Sequence, residues 1–343
     1  MTPLLATDEG HARRWQAFVE EQSACGNYHR WRWKQVLEAT FGWPTYYWMT
    51  EREGKVVGIL PLVWQKSWFF GSFMTSLPFL NYGGVVAEDP AAEQCLVQAA
   101  IALAQQNRVD YLELRHRSDH QLGLPSKRNK LTLILPVEAD TDRMWQRLDP
   151  KVRTDIRKAE KSGLTHQVGG EELLEPFYRV FVHNMRDLGT PVYSPSLFRE
   201  IFRAFPAETR INVVRSREKT VAASFLIGYR DTLEVPWSCS LREYLPVKPN
   251  MLLYWRNLCF AGTSGYRFFD FGRSSVGSGT HRFKKQWGGE EVPLHWDYWI
   301  PSEASLPELN PQNPRYRLAI GVWRRLPLAV TRCVGPYLVR RLP

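Results

Sequence analysis

The chain opens with a helical spacing. Trp15, Phe18 and Val19 fall on one side of a segment that predicts a helix over 11–39. Extended patterns follow. Tyr46 to Met49 reads as a strand, Glu53-Gly54 as a turn, and Val56 to Trp64 as the returning strand. Ser72 to Pro78 is a further strand, and "LNYGGVVAEDP" a glycine loop. Asp89 can cap a helix and Pro90 can occupy its first position, which predicts a helix from Pro90 to Gln106. "VDYLELRHRS" is then a buried strand that ends in charge.

The second half runs through the same order. Ile211 to Val214 is a strand, Glu218-Lys219 a turn, and Val221 to Tyr229 and Thr232 to Ser240 are strands. Arg242 to Pro249 is a loop, Asn250 to Gly262 a helix, and "GYRFFDFGRSS" a strand ending in charge. "REGKVVGILPLVW" matches "REKTVAASFLIGY" in position, and "VDYLELRHRS" matches "YRFFDFGRSS". This order predicts an internal duplication of one mixed α/β unit.

Composition agrees with two globular units. The chain has 343 residues, of which 44% are hydrophobic and 13% aromatic, enough for two cores. The formal net charge of +10 points to an anionic partner: nucleic acid, a membrane surface or a phosphorylated substrate. Cys25, Cys95, Cys239, Cys259 and Cys333 lie far apart without metal-type spacing, and read as buried thiols in a reducing compartment. No metal site is expected. The N-terminus lacks an apolar signal core, and no stretch reaches the ~18 apolar residues of a membrane span. A cytoplasmic protein is expected.

Two stretches carry candidate chemistry. In "LDPKVRTDIRKAEKSGL", Asp149 can cap a helix, Pro150 start it and Gly163 end it. Val152, Ile156 and Ala159 form its apolar stripe, and Arg153, Arg157 and Lys161 recur on a neighbouring face. Like charges at this spacing repel by a few tenths of a kcal/mol per pair. A phosphate-bearing ligand would offset that, although a solvated basic face explains the pattern too. In "FDFGRSSVGSGTHRFKKQWGG" (Phe269 to Gly289), Gly272, Gly277 and Gly279 relax the backbone. Arg273, His281, Arg282, Lys284 and Lys285 then gather positive charge.

"KVRTDIRKAEKSGL" followed by this second stretch resembles the FemAB family and its relatives among the GNAT-like acyltransferases. Together with "LPFLNYGGV" it resembles, more narrowly, the FemAB-like proteins associated with exosortase and exopolysaccharide systems. The resemblance runs from about Trp31 to the end. It implies an α/β fold of two tandem GNAT-like units, each a mixed, mainly antiparallel sheet flanked by helices. The first would span 1–143 and the second 144–300, with a basic tail over 301–343.

The family transfers an acyl or aminoacyl group, so the resemblance implies an acyl-CoA or aminoacyl-tRNA donor. The acceptor would be an amine or hydroxyl of a cell-envelope or exopolysaccharide precursor at the cytoplasmic face. The family's Phe-Lys pair falls on Phe283 and Lys284. A lysine ammonium aimed at the reacting carbonyl stabilises the developing oxyanion. His281 and Asp270 are the nearby candidates for a base; each also fits a loop-binding role, and Asp270 could pair with Arg273. Asn81, Tyr82 and Tyr193 are candidates to line the acceptor cleft. "RSSVGSG" has one residue too many for the usual acyl-CoA loop, and "LREYLPVKPN", where that loop should sit, has no glycine. The donor therefore stays open. The other reading is a non-catalytic module that binds an anionic lipid-linked glycan or RNA.

The tail from Arg315 to Pro343 holds seven arginines and no acid. Pro327 and Gly335-Pro336 predict a segment cut into short pieces. It could pack on the first unit or lie on an anionic membrane.

Overall fold

The computed structural model describes residues 1–67, 70–301, 306 and 314–342. The chain divides into two compact units. The first holds residues 1–130, with 293–301 and 340–342; the second holds 131–292, with 314–339.

The first unit begins with β1 (Pro3–Leu5), α1 (Glu9–Glu21) and α2 (Arg32–Phe41). The single helix expected over 11–39 is thus two. Residues 22–31 break it, where "SACGN" offers little helix propensity. The strands β2 (Thr45–Arg52) and β3 (Lys55–Ser67) form a hairpin, followed by β4 (Gly71–Thr75) and the short β5 (Val86–Ala87) against β3. Asp89 accepts from Ala92 N and opens α3 (Pro90–Gln106) as the sequence predicts. The helix lies close on β3 because Gly58 has no side chain: a Cβ there would sit 2.9 Å from Leu96 Cδ1. The strand β6 (Tyr111–His116) then pairs parallel with β4, Phe73 opposite Tyr111 and Thr75 opposite Glu113.

The second unit takes up the chain in β7 (Ser126–Pro136), whose last residues belong to it, and continues through α4 (Thr141–Arg147) and α5 (Pro150–Lys161). Then come β8 (Leu164–Gly169), α6 (Leu174–Leu188), α7 (Pro195–Ala204) and the strands β9 (Thr209–Ser216), β10 (Lys219–Tyr229) and β11 (Thr232–Ser240). The helix α8 (Pro249–Thr263) and the strand β12 (Phe268–Asp270) complete the series, with β11 and β12 parallel.

The two orders are the same. Each unit runs strand, two helices, antiparallel hairpin, third strand, helix and a strand parallel to the third. In each, the first strand pairs antiparallel with the hairpin. The duplication expected from the sequence is therefore present in topology. After β12 come β13 (Ser274–Ser275), α9 (Gly279–Lys285) and β14 (Glu290–Trp299). The last of these returns to the first unit and pairs with β6, His295 opposite His116.

The second core explains why α8 sits where it does. Asn257, fully buried, accepts from Asn212 Nδ2 at 2.8 Å and from Ser224 Oγ at 3.1 Å, tying α8 to β9 and β10. Met251, Tyr254, Trp255 and Leu258 on α8 pack with Val152 and Ile156 of α5 and with Phe269, Phe271 and Trp287. The stripe predicted for α5 is thus its buried face.

The tail is less broken than its sequence suggests. It forms α10 (Pro314–Arg325) and α11 (Leu328–Val339), and both pack on α6 within the second unit. Gly335-Pro336 does not break α11. Gly335 lies against Val192, where a Cβ would come within 2.9 Å of backbone, so the packing holds the helix through the proline. Only residues 340–342 return to the first unit, with Leu342 O accepting from Gln65 at 3.2 Å. Cys333 on α11 is exposed and Cys95 and Cys259 are half-buried, so only Cys25 and Cys239 fit the buried-thiol expectation.

Candidate active site

The strands β11 and β12 pair only from Thr232–Phe268 to Glu234–Asp270. β11 then runs on to Ser240, while the other chain leaves through Phe271 and Gly272. Gly272 has φ 69°, a left-handed turn that other residues adopt at a cost. Where the strands part, two buried carboxylates, Glu234 and Asp270, stand opposite each other in register.

Asp270 holds the departing chain. It accepts from Gly272 N at 2.8 Å and from the hydroxyl of Thr132 on β7. Beyond the turn, Ser278 accepts from His281 N and starts α9. The glycine stretch therefore does not present Phe283 and Lys284 from a loop. It leads into a short helix that carries both.

Aromatic packing fixes that helix. Phe283 meets Tyr254 edge-on at 5.1 Å, and Phe271 stacks on the same ring at 5.7 Å. Trp287, one turn on from Phe283, is buried in this cluster. Lys284 is left pointing inward, only 8% exposed. Its Nζ donates to Gly272 O at 2.8 Å and to Arg273 O at 3.1 Å. An ammonium has three protons. The third has no partner among the described residues.

Burial pulls the Lys284 pKa down from 10.5 to about 8. The Asp270 carboxylate opposes that shift, Arg273 adds to it, and Glu234 opposes it more weakly. The result is a cation that titrates near neutrality, held by backbone oxygens and flanked by two acids.

His281 stands differently. Its Nδ1 accepts from Gly277 N at 3.0 Å, and its Nε2 faces Glu291 at 3.2 Å. Only Nδ1 makes a hydrogen bond; Nε2 is enclosed beside Glu291 without one. Lys285 pairs with the same Glu291 at 2.6 Å on the exposed side. Asp270, locked by Gly272 and Thr132, holds the turn.

The basic helix lies on the same core. Arg157 stretches over the Trp145 ring at 5.3 Å, and Trp145 meets Trp255 edge-on at 5.1 Å. Arg153 Nε is enclosed without a hydrogen-bond partner. Lys161, in the last turn of α5, is exposed. Tyr193 sits elsewhere in this unit, between Phe181 (6.1 Å) and Trp237 (6.2 Å), and its carbonyl accepts from Tyr178.

Asn81 and Tyr82 belong to the first unit and are buried. Tyr82 packs on Tyr28 and lies under the Arg117 guanidinium at 5.2 Å. Beside it is a small pocket of about 110 Å³ lined by His29, Gly84, Arg115, His116 and His120. His116 donates from Nδ1 to Asp297 at 2.9 Å and accepts from Val85 N at 3.2 Å. His29 accepts from Gly26 N and donates to Gly84 O at 3.0 Å. Burial keeps both rings neutral, His29 down to about 4. They fasten the glycine loop to its strand.

Three features escaped the sequence reading. Glu234 is an acid inside the apolar run "TLEVPW", a signal that was available. Thr132 and Tyr254 carry no such mark; only the folded register brings them to Asp270 and Phe283. A cleft of about 470 Å³ beside α6 is lined by Arg179, His183, Arg215 and Lys219. Its cations already have partners: Arg179 and Lys219 pair with Glu175 and Glu243, and Arg215 donates to the Gln167 amide oxygen.

Two tandem units of the GNAT acyltransferase fold are what this topology defines. Residues 149–285 match the model of the Acetyltransferase (GNAT) domain, the stretch that contains α5, the β11–β12 opening and Lys284. Among solved structures, FemX is similar over 93% of this chain and 100% of its own, with TM-score 0.65 and 14% identity. A tandem GNAT protein from the clavulanic acid biosynthesis pathway is similar over 88% and 99%, with TM-score 0.57 and 13% identity. The C-terminal domain of a putative lysylphosphatidylglycerol synthetase from Agrobacterium fabrum is similar over 85% and 92%, with TM-score 0.55 and 11% identity. No curated protein matches in sequence. The fold and the matched domain are those of an acyltransferase.

Proposed function

We propose that the protein transfers an acyl or aminoacyl group to an amine or hydroxyl of a cell-envelope or exopolysaccharide precursor, with Lys284 at the reacting carbonyl. The observation that carries this is the unused third proton of a buried, twice-anchored ammonium. Attack on an ester or thioester carbonyl places negative charge on its oxygen. A donor already fixed by Gly272 and Arg273 needs no reorganisation to meet it. The carbon–nitrogen or carbon–oxygen bond forms as the donor's ester or thioester bond breaks. The nucleophile's proton balances the one taken up by the leaving oxygen or sulfur.

Phe283 serves by anchoring α9, and Asp270 by shaping the turn and supporting the charge of Lys284. The leaving oxygen or sulfur is the acceptor for the nucleophile's proton, and His281 serves to hold the turn before α9 through Gly277 N. Arg153, Arg157 and Lys161 are assigned to the anionic part of a substrate, and the partnerless Arg153 Nε supports this. Arg273 adds positive charge at the turn. The donor is an acyl thioester or an aminoacyl ester; the 3₁₀ turn at Arg242–Val247, without glycine, favours the ester.

The test is mass spectrometry of envelope and polysaccharide precursors from cells with and without the protein. A precursor that lacks one acyl or aminoacyl mass supports the reading. Identical precursor masses contradict it.

A further inference from the structure

Among the described residues, eleven large hydrophobic side chains are exposed, and six of them lie on α10 and α11. They are not scattered. Leu318 and Val322 stand four apart on α10, and Arg325 follows on the same face. On α11, Val330, Val334, Tyr337 and Leu338 form one stripe. Leu318 is 73% exposed and Tyr337 69%. The opposite faces are already used. Ile320 fits against Gly189, Trp323 and Val339 are buried, and Arg324 donates to Leu188 O at 3.2 Å. The helices are thus fastened to α6 by one side and leave a second apolar side uncovered.

We infer that this outer face of α10 and α11 docks on an anionic lipid bilayer. Charge decides the occupant. Residues 315–343 hold seven arginines and no acidic residue. Apolar stripes bordered by cations and lying along a surface are the pattern of interfacial helices. At 12 residues each, the helices reach about 18 Å and lie on a bilayer rather than across it. Arginines at the border extend their guanidinium groups to the phosphates while their stems stay with the apolar side chains. Each such cation strengthens binding about fivefold at an anionic surface. This inference does not depend on the transfer reaction.

The test is co-sedimentation of the full chain with vesicles of phosphatidylcholine alone and of phosphatidylcholine mixed with phosphatidylglycerol. Binding is expected to the mixed vesicles, at least ~tenfold weaker to the neutral ones, and weakened by salt. Combined Leu318→Ser, Val322→Ser and Tyr337→Ser, and separately Arg317→Glu with Arg325→Glu, should each reduce it at least ~tenfold. These side chains are exposed, so thermal melting should stay close to that of the unaltered chain. Equal binding by either set of variants, or equal binding to neutral vesicles, overturns the inference. So does gel filtration showing a dimer that the serine substitutions dissociate, since a second copy would then be the occupant.

Discussion

Lys284 Nζ is bonded to the carbonyl oxygen of Gly272 at 2.8 Å, and with its second bond to Arg273 O this contact joins the turn after β12 to α9. The turn that leaves β12 and the helix that follows it are therefore one unit. A change that moves the turn moves the lysine.

Titration of Lys284 should be visible in stability. Its pKa falls from 10.5 to about 8, so the folded chain releases this proton before the unfolded chain does. Its contribution is flat below about pH 8 and rises with pH up to 10.5, as the cost of burying the charge disappears. Compared with Lys284→Met, the unaltered protein should gain about 2 kcal/mol of unfolding free energy between roughly pH 7 and pH 10. Denaturant titrations of both proteins at the two pH values measure the difference. Parallel stabilities would mean that the lysine is not buried as a cation.

The same ionisation should cut the rate. Transfer that needs the charged lysine declines above about pH 8. In Asp270→Asn the opposing carboxylate is lost, and the decline should begin ~1 pH unit lower. A pH–rate profile of both proteins checks this. An unmoved alkaline limb would separate Asp270 from the charge of Lys284.

Arg157 should act on binding rather than on the chemical step. Arg157→Glu should raise KM ~tenfold or more with little change in kcat, because one contact to an anion is lost and replaced by repulsion. Arg157→Lys should recover only part of it, since an ammonium does not lie flat on Trp145 as a guanidinium does. Steady-state kinetics of the three proteins provide the measurement, and an unchanged KM in Arg157→Glu would return this face to solvent.

Gly84 tests the glycine loop of the first unit. A Cβ there would lie 2.1 Å from the His116 ring and 2.9 Å from Arg115 O, and the backbone oxygen cannot yield. Gly84→Ala should cost about 1–3 kcal/mol and lower Tm by several degrees. Calorimetry measures it; an unaltered Tm would show that the loop can shift away from β6 freely.

Much of this fold was legible because its signals are local. Asp89 and Pro90 mark α3, Asp149 and Pro150 mark α5, and the paired hairpins repeat at matching places in the two units. The Lys284 stretch was legible as a place, but its form was not. Three glycines suggest a loop, whereas Ser278 capping and the packing of Phe283 and Trp287 on Tyr254 make residues 279–285 a helix. The attachment of the tail was hidden for a similar reason. Gly335 looks like a breaker, yet it lies inside α11 against Val192, and Gly189, which ends α6, is also the gap that Ile320 fits. The opposition of Glu234 and Asp270 depends on register between strands more than thirty residues apart, which no local pattern encodes.

The most direct test of the account is the transfer rate of Lys284→Ala beside Lys285→Ala, each checked for folding by thermal melting. Lys284 is enclosed with one proton unused, whereas Lys285 is exposed and paired with Glu291. Removing one donor to an oxyanion typically costs ~100- to 1000-fold in rate, about 2.7–4 kcal/mol. Lys284→Ala should lose that much, Lys284→Arg should recover little of it, and Lys285→Ala should remain within about threefold of the unaltered protein. A folded Lys284→Ala that transfers at the unaltered rate would contradict the assignment of Lys284 to the reacting carbonyl.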